Sequence, residues 1–313
     1  MIITIVVPCY NEEEVINTTY TRLVSVADSV DWQTEMLFVD DGSSDETLRL
    51  LKGMAKGDSR VRILSFSRNF GHQAAVSAGI RYAHGDAVVI IDADLQDPPE
   101  LIPEMVEIWR EEEVEIVYGK RLEREGETVF KKLSAALFYR LLNRLSTTPL
   151  PTDTGDFRLL DRKVIDAFNH LSERNKYIRG LIPWLGFRSL PLGYRREVRL
   201  AGESKYPLLK MLTLAADGLI SFSRKPLQLA MVFGILNIIV SLLLAVYVFV
   251  SFFSQRISTV PGWASTVLII VFFSGIQLLF LGVLGAYIGR IFDEVKARPE
   301  YIVKEIIENG RHE

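Results

Sequence analysis

Between Pro226 and Gln255 the chain carries no charged residue, and between Ile257 and Gly289 it carries none again. Each stretch exceeds the ~20 apolar residues that a membrane-crossing helix needs. In lipid a lone segment must satisfy its own backbone N–H and C=O groups, so a helix is the form open to it. Leu227 to Phe253 alone contains eighteen Leu, Ile, Val or Phe residues. At about −0.3 to −0.6 kcal/mol each near the bilayer centre, these favour insertion by several kcal/mol. Asn237 and Gln277 interrupt the runs and are expected to face a neighbouring helix. Arg224 and Lys225 precede the first stretch, Arg290, Lys296 and Arg298 follow the second, and the hairpin loop from Gln255 to Trp263 holds only Arg256. The positive-inside rule then predicts two spans in an inner (plasma) membrane, with both termini and everything before the first span cytoplasmic. Gly282, Gly285 and Gly289 permit close helix approach on the second span, within the hairpin or in a homo-oligomer.

The rest of the chain is different in kind. Residues 1–202 are mixed, charged and globular, long enough to bury a sizeable core. The expected organisation is a cytoplasmic domain over 1–202 with an interfacial helix near 131–147, then an interfacial amphipathic segment over 203–225. A two-helix transmembrane hairpin over 226–290 and a cytoplasmic tail over 291–313 follow. The N-terminus lacks a basic leader and enters a strand directly, so no signal peptide is expected. A net charge of −3 argues against a nucleic-acid partner. The single cysteine, Cys9, excludes an internal disulfide and fits a reducing compartment.

Over the first 120 residues, short β-rich apolar runs alternate with amphipathic segments. The runs are Ile2–Val7, Met36–Val39, Val61–Phe66, Ala87–Ile91 and Ile116–Val117, with helices expected near Glu13–Asp28, Glu46–Lys56, Gln73–His84 and Glu100–Glu111. Asn11 and Ser44 are the expected caps of the first two helices. The pattern implies an α/β fold with a mostly parallel sheet covered on both faces, and ligands at the carboxyl ends of its strands.

Polar groups gather at just those ends. Pro8-Cys-Tyr-Asn-Glu12 follows the first strand, where Tyr10 can stack on a base and Glu12 can accept hydrogen bonds from base or ribose. Val39-Asp-Asp-Gly-Ser-Ser-Asp45 follows the second. Asp92-Ala-Asp-Leu-Gln-Asp97 follows the fourth, and its paired carboxylates and carboxamide form a hard-oxygen cluster suited to Mg²⁺ or Mn²⁺. Such a cation is commonly shared with substrate phosphates, which points to a nucleoside-diphosphate donor. Thr154-Gly-Asp-Phe-Arg158 adds an isolated acid and base. Arg121, Lys131, Lys132, Arg199 and Lys205 are cations able to neutralise a diphosphate leaving group and an anionic acceptor.

Together with Ser67-Arg-Asn-Phe-Gly-His-Gln73 and Gly202-Glu-Ser-Lys205, these motifs resemble the family-2 inverting glycosyltransferases of the GT-A (Rossmann-like) fold. More closely they resemble the polyprenyl-phosphate glycosyltransferases, the group of the bactoprenol glucosyltransferases and dolichyl-phosphate mannose synthases. The resemblance implies that Pro8, Tyr10, Glu12, Val39 and Asp41 line the nucleotide pocket, with Asp92, Ala93 and Arg121 also on the donor. It implies that Asp92, Asp94 and Gln96 hold the metal, Asp94 foremost, and that Lys131, Arg199 and Lys205 contact phosphates. Asp156, with Asp94, takes the catalytic position, and Asp153 is the neighbouring alternative to Asp156. The implied reaction moves one sugar from a nucleotide sugar to a polyprenyl phosphate such as undecaprenyl phosphate. UDP-glucose is the first expectation for the donor, ahead of UDP-N-acetylglucosamine and GDP-mannose.

Chemistry qualifies the role of Asp156. A phosphate nucleophile, with a second pKa near 6, is largely ionised at neutral pH and needs no general base. Asp156 is then expected to orient its neighbours at least as much as to move a proton. Two other functions share parts of this pattern: a processive polysaccharide synthase and a non-catalytic, membrane-anchored nucleotide-sugar-binding protein. The first usually carries a Gln-x-x-Arg-Trp motif, which is missing, and more spans. The second sits poorly with an intact metal cluster.

Overall fold

The structure, a computed structural model, describes residues 1–122, 154–173, 176–195, 262–308 and 311–312, with scattered positions between 227 and 246. The chain divides into two units, Met1–Ala215 with Arg298–Glu313, and Ala216–Ala297.

In the first unit, β1 (Ile2–Cys9), β2 (Gln33–Asp40), β3 (Val61–Phe66) and β4 (Ala87–Ile90) alternate with α1 (Ile16–Asp28), α2 (Thr47–Gly57) and α3 (His72–Tyr82). A 3₁₀ turn at Pro99–Leu101 leads into α4 (Ile102–Glu111). The four strands lie parallel in the order β4-β1-β2-β3. Both β3 and β4 are buried along their whole length, as runs covered on two faces must be. The stripe of Ile16, Thr19, Leu23, Val26 and Ala27 turns one face of α1 into the core. On α3 every residue from Ala74 to Ile80 is buried. Its close approach depends on Gly79, where a Cβ would stand 2.1 Å from Cγ1 of Val6 in β1.

Beyond α4 the chain builds the flanks: β5 (Ile116–Arg121), β6 (Thr154–Asp161), α5 (Arg162–Asn169), α6 (Ile178–Trp184) and β7 (Ser189–Tyr194). Strand β6 runs antiparallel between β4 and β5, and β7 is parallel to β5 at the sheet edge. The expected tail over 291–313 is not a separate element. It begins inside α7 (Trp263–Lys296) and returns as β8 (Val303–Glu308) and β9 (Arg311–His312), with β8 antiparallel to β3. Ion pairs hold it there, Lys52 to Glu305 at 2.8 Å and Arg62 to Glu308. The result is one nine-stranded mixed sheet, parallel at its centre.

In the second unit α7 runs for 34 residues, about 51 Å of helix. Its segment Phe272–Lys296 has a mean hydropathy of 1.7, and none of its apolar window is buried. It is the one helix among the described residues that is long and apolar enough to cross a membrane. The first expected span falls largely outside the described residues. Residues 232–236 within it are helical, and the Phe233 ring lies 6.2 Å from that of Phe280 on α7. The segments 131–147 and 203–225, and the residues Lys131, Asp153, Arg199 and Lys205, also lie outside the described residues.

Candidate active site

Parallel strands deliver their carboxyl ends to one edge, so the loops after β1, β2, β3 and β4 meet there. Pro8 and Val39 are register partners at that edge, and both are buried. Tyr10 is exposed and Glu12 half-buried. The expected caps do something else. Asn11 adopts a left-handed φ of 54°, and its side-chain oxygen accepts from the Ser44 amide at 2.8 Å. In return Ser43 Oγ accepts from the Asn11 amide at 3.0 Å, and Thr47 Oγ1 from the Glu12 amide at 2.8 Å. The two loops are thereby laced together. Neither Asn11 nor Ser44 caps a helix, because the lacing uses their polar groups.

After β2, Asp40 accepts from the Ser43 amide at 3.1 Å and from Ser65 Oγ at 2.8 Å. Asp41 accepts from the amides of Phe70 at 2.6 Å and Gly71 at 2.9 Å. Burial pushes the Asp41 carboxyl up, against the pull of those two amides. Gly42 completes the turn at φ +68°, where a Cβ would lie 2.4 Å from the Arg68 carbonyl carbon. Asp41 is therefore the clasp on the loop Ser67–Gly71.

After β4, Ala93 is buried, and its carbonyl accepts from Thr19 Oγ1 at 2.7 Å. Asp94 accepts from the Gln96 amide at 3.1 Å, across a left-handed Leu95 at φ 56°. Tyr194 donates its hydroxyl hydrogen to buried Asp97. Arg121 sits in that group, its Nη2 4.0 Å from Asp97, and a Cβ on Gly155 would be 2.6 Å from the same nitrogen.

The β4/β6 register, with Ile90 opposite Arg158, brings Asp156 level with Asp92 two residues farther on. Asp156 is 2% exposed and receives two bonds from Arg179 of α6, Nε at 2.8 Å and Nη2 at 2.7 Å. His72, the first residue of α3, places Nε2 3.1 Å from Asp156 and 3.7 Å from Asp92. Burial alone would raise the Asp156 carboxyl, but Arg179 and His72 outweigh it and hold it well below the usual carboxylate range. Although burial opposes it, the same carboxylates push His72 up to about 9, so it is an imidazolium at neutral pH. Asp92 is pushed up to about 6 by burial and by Asp156, Asp97 and Asp94, against the pull of His72. Its Oδ1 is buried and has no hydrogen-bond partner among the described residues.

A ring nitrogen of His72 and one oxygen each of Asp92 and Asp156 lie within 4.8 Å of one another, and the nitrogen becomes a ligand only when His72 gives up its proton. Asp156 is already neutralised by its cations, so Asp92 is the acceptor that a bound cation would satisfy. Of the expected set Asp92, Asp94 and Gln96, only Asp92 belongs to the group of potential ligands that the described residues bring together. Among the expected residues, then, Asp92 and Asp156 converge, while Arg121 is drawn toward Asp97 and Tyr194. Sequence reading missed Arg179 and the role of His72. His72 stood inside a quoted motif, but Arg179 lies 23 residues from Asp156 in an ordinary helix.

The profile described as Glycosyl transferase family 2 matches residues 4–168. The chain belongs to this family. Its α/β architecture is the GT-A fold, and the protein is a glycosyltransferase. Glycosyltransferase YkcC of Bacillus subtilis is 53% identical over 311 residues, 98% of this chain and 95% of that protein. The SfII prophage-derived bactoprenol glucosyl transferase of Shigella flexneri is 39% identical over 305 residues, 97% of this transferase and 98% of its relative. A prophage bactoprenol glucosyl transferase homolog of Escherichia coli K12 is 36% identical over 98% of this chain and 99% of its own.

Proposed function

We propose that this transferase moves one sugar, with inversion, from a nucleotide sugar, UDP-glucose first, to the phosphate of a polyprenyl phosphate such as undecaprenyl phosphate. The product is a lipid-phosphate-linked monosaccharide for cell-envelope glycosylation. The observation that carries the reading is the state of Asp156: a carboxylate locked by Arg179 and His72 is a poor proton acceptor. A site without a free base there suits an acceptor that is already an anion, as a lipid phosphate is. The names of the relatives from Shigella and Escherichia coli point the same way.

In this reading Tyr10 stacks on the base, while Glu12 and Asp41 accept from base or ribose beside Pro8 and Val39. Each oxygen of Asp41 keeps a second lone pair for that purpose. Ala93 and Arg121 border the donor, and Lys131, Arg199 and Lys205 bind phosphates. Asp156 fixes Arg179 and His72 as two cations beside the reacting groups, and catalysis rests on positioning and charge neutralisation. A bound Mg²⁺ or Mn²⁺, held by Asp92, Asp94 and Gln96, would neutralise charge on the departing diphosphate.

The domain plan proposed is a cytoplasmic catalytic unit, an interfacial segment and a two-span hairpin in the plasma membrane. Parity supports the second span. Strand β8 shares a sheet with β1–β7, so the chain between Tyr194 and Val303 crosses a membrane an even number of times. If α7 crosses once, a second crossing is needed, and Leu227–Phe253 is the apolar stretch available.

The test is full-length protein in detergent with undecaprenyl phosphate and, in turn, UDP-glucose, UDP-N-acetylglucosamine and GDP-mannose. One glucose per lipid phosphate, with the anomeric configuration inverted and activity lost in EDTA, is the expected result. A polymer would favour the processive synthase, and no product with any donor would favour a binding protein.

A further inference from the structure

The segment that follows α7, Arg298–Ile302, lies in the first unit and rests on the same loop that Asp41 clasps. Tyr301 stacks on Phe66, the last residue of β3, with centroids 4.9 Å apart and planes 10° from parallel. Phe66 in turn meets Phe70 edge-on at 5.8 Å. Next to the stack, the Ser67 amide donates to the Ile302 carbonyl at 3.0 Å. Glu300 accepts from Ser77 Oγ of α3 at 3.1 Å and lies 3.7 Å from Lys176. The loop between, Ser67–Gly71, is therefore gripped from two sides. Asp41 holds its Phe70 and Gly71 amides from within, and Tyr301 holds Phe66, against which Phe70 packs, from without. His72, beside Asp156 and Asp92, is the next residue.

We infer that Tyr301 is a positioning residue for the nucleotide donor: its ring fixes the Phe66–Phe70 pair, and through it the loop that sets Asp41 and His72. This rests on the proposed place of Asp41 in the donor pocket. Among the described residues the ring of Tyr301 stacks on Phe66 and its hydroxyl meets Arg81, neither of them a strand-end carboxylate, so its effect on the site travels through Phe66 and Phe70. The contact that matters is the stacked ring. The phenol oxygen accepts a hydrogen bond from Arg81 of α3, which lies outside the loop, so phenylalanine keeps the stack and should serve the loop as well.

The experiment compares full-length wild type, Tyr301→Ala and Tyr301→Phe, well below their melting temperatures. Binding of UDP, and separately GDP, is measured by calorimetry with Mg²⁺ present, alongside hydrogen–deuterium exchange without nucleotide. Loss of a stacked aromatic pair should weaken binding of the preferred nucleotide about 5- to 10-fold in Tyr301→Ala. It should speed exchange at the Phe70 and Gly71 amides while leaving β1 and β4 protected. Tyr301→Phe should restore both. In turnover, the donor KM should rise in Tyr301→Ala while the acceptor KM stays put. If Tyr301→Ala does not fold, Tyr301→Leu, which keeps bulk without the ring, is read in its place. Unchanged nucleotide affinity in the variant, or exchange that rises equally across the sheet, would overturn the inference. Wild type that binds neither nucleotide would instead overturn the donor reading of the site, with Tyr301 left as a packing residue.

Discussion

On either side of β1 the sheet ends in an acidic loop, and the two loops satisfy their carboxylates differently. After β2 the protein itself supplies a donor to each carboxylate oxygen. Asp40 has Ser43 and Ser65, Asp41 has Phe70 and Gly71, and Asp45 has the amides of Glu13 and Thr47. After β4, Asp92 keeps a buried oxygen with no donor among the described residues, in a crowd of other acids. A carboxylate with a protein donor on each oxygen is held in place, and Asp41 uses that to fix a loop while keeping a second lone pair on each oxygen. A carboxylate left short is ready for a ligand, and the fold tolerates its cost for that reason.

The sharpest way to break this comparison is to neutralise one acid in each loop. Asp92→Asn should cut transfer by about 10²–10³-fold while melting at the same temperature or slightly higher at pH 8, since a desolvated charge is removed. Asp40→Asn should instead cost about 1–3 kcal/mol of stability by disturbing two satisfied bonds. Product formation and thermal melting, measured side by side, decide it; a matching pattern in both variants would erase the distinction.

Glycines offer a second, smaller contrast. Gly42→Ala should cost about 2–4 kcal/mol, because its φ is positive and its Cβ would meet Arg68 backbone that cannot move aside. Gly155→Ala meets only the tip of the Arg121 side chain and should cost about 1 kcal/mol or less. Denaturant unfolding of the two variants measures the difference, and equal losses would remove it.

The smallest effect is in pH, read on metal-free protein. Asp92 titrates near 6 in the fold, above its unfolded value, so protonation as pH falls through 6 adds stability rather than removing it. Although burial opposes it, hydrogen bonds from Thr47 and Glu13 lower Asp45. Its contribution is present above the unfolded value and is lost only as pH falls through the depressed one. Carboxyl NMR should show Asp92 titrating first, with melting temperature level or rising until well below pH 5. A fall in melting temperature centred on pH 6 would contradict this account.

The central parallel block was legible because each of its strands contains a short, largely apolar run and each helix carries its own stripe. The flanks were not. Strand β7 contains Pro191, which reads as a break and is tolerated at an edge. Strand β8 pairs with β3 across 246 residues, from Arg62 to Glu308, and nothing local announces a partner so distant. The site divides in the same way. Strand-end acids stood out as motifs, whereas the Asp156–Arg179–His72 group joins β6, α6 and α3 and exists only once they pack. Asn11 shows the converse error: a sound local cap signal was overridden by a better bond to the neighbouring loop.

The return of β8 to β3 also sets a clock on synthesis. Strand β3 leaves the ribosome early, but the strand that covers its outer edge is made 246 residues later, some ten to fifty seconds at bacterial and eukaryotic elongation rates. Through that interval Val-Arg-Ile-Leu-Ser-Phe presents an open, largely apolar edge of the kind that pairs with strangers. Arg62 is its one charged residue, and in the finished protein that charge is shared between Glu35 of β2 and Glu308. Both charge-free stretches emerge before β8 does, so the sheet is still unfinished when they leave the ribosome.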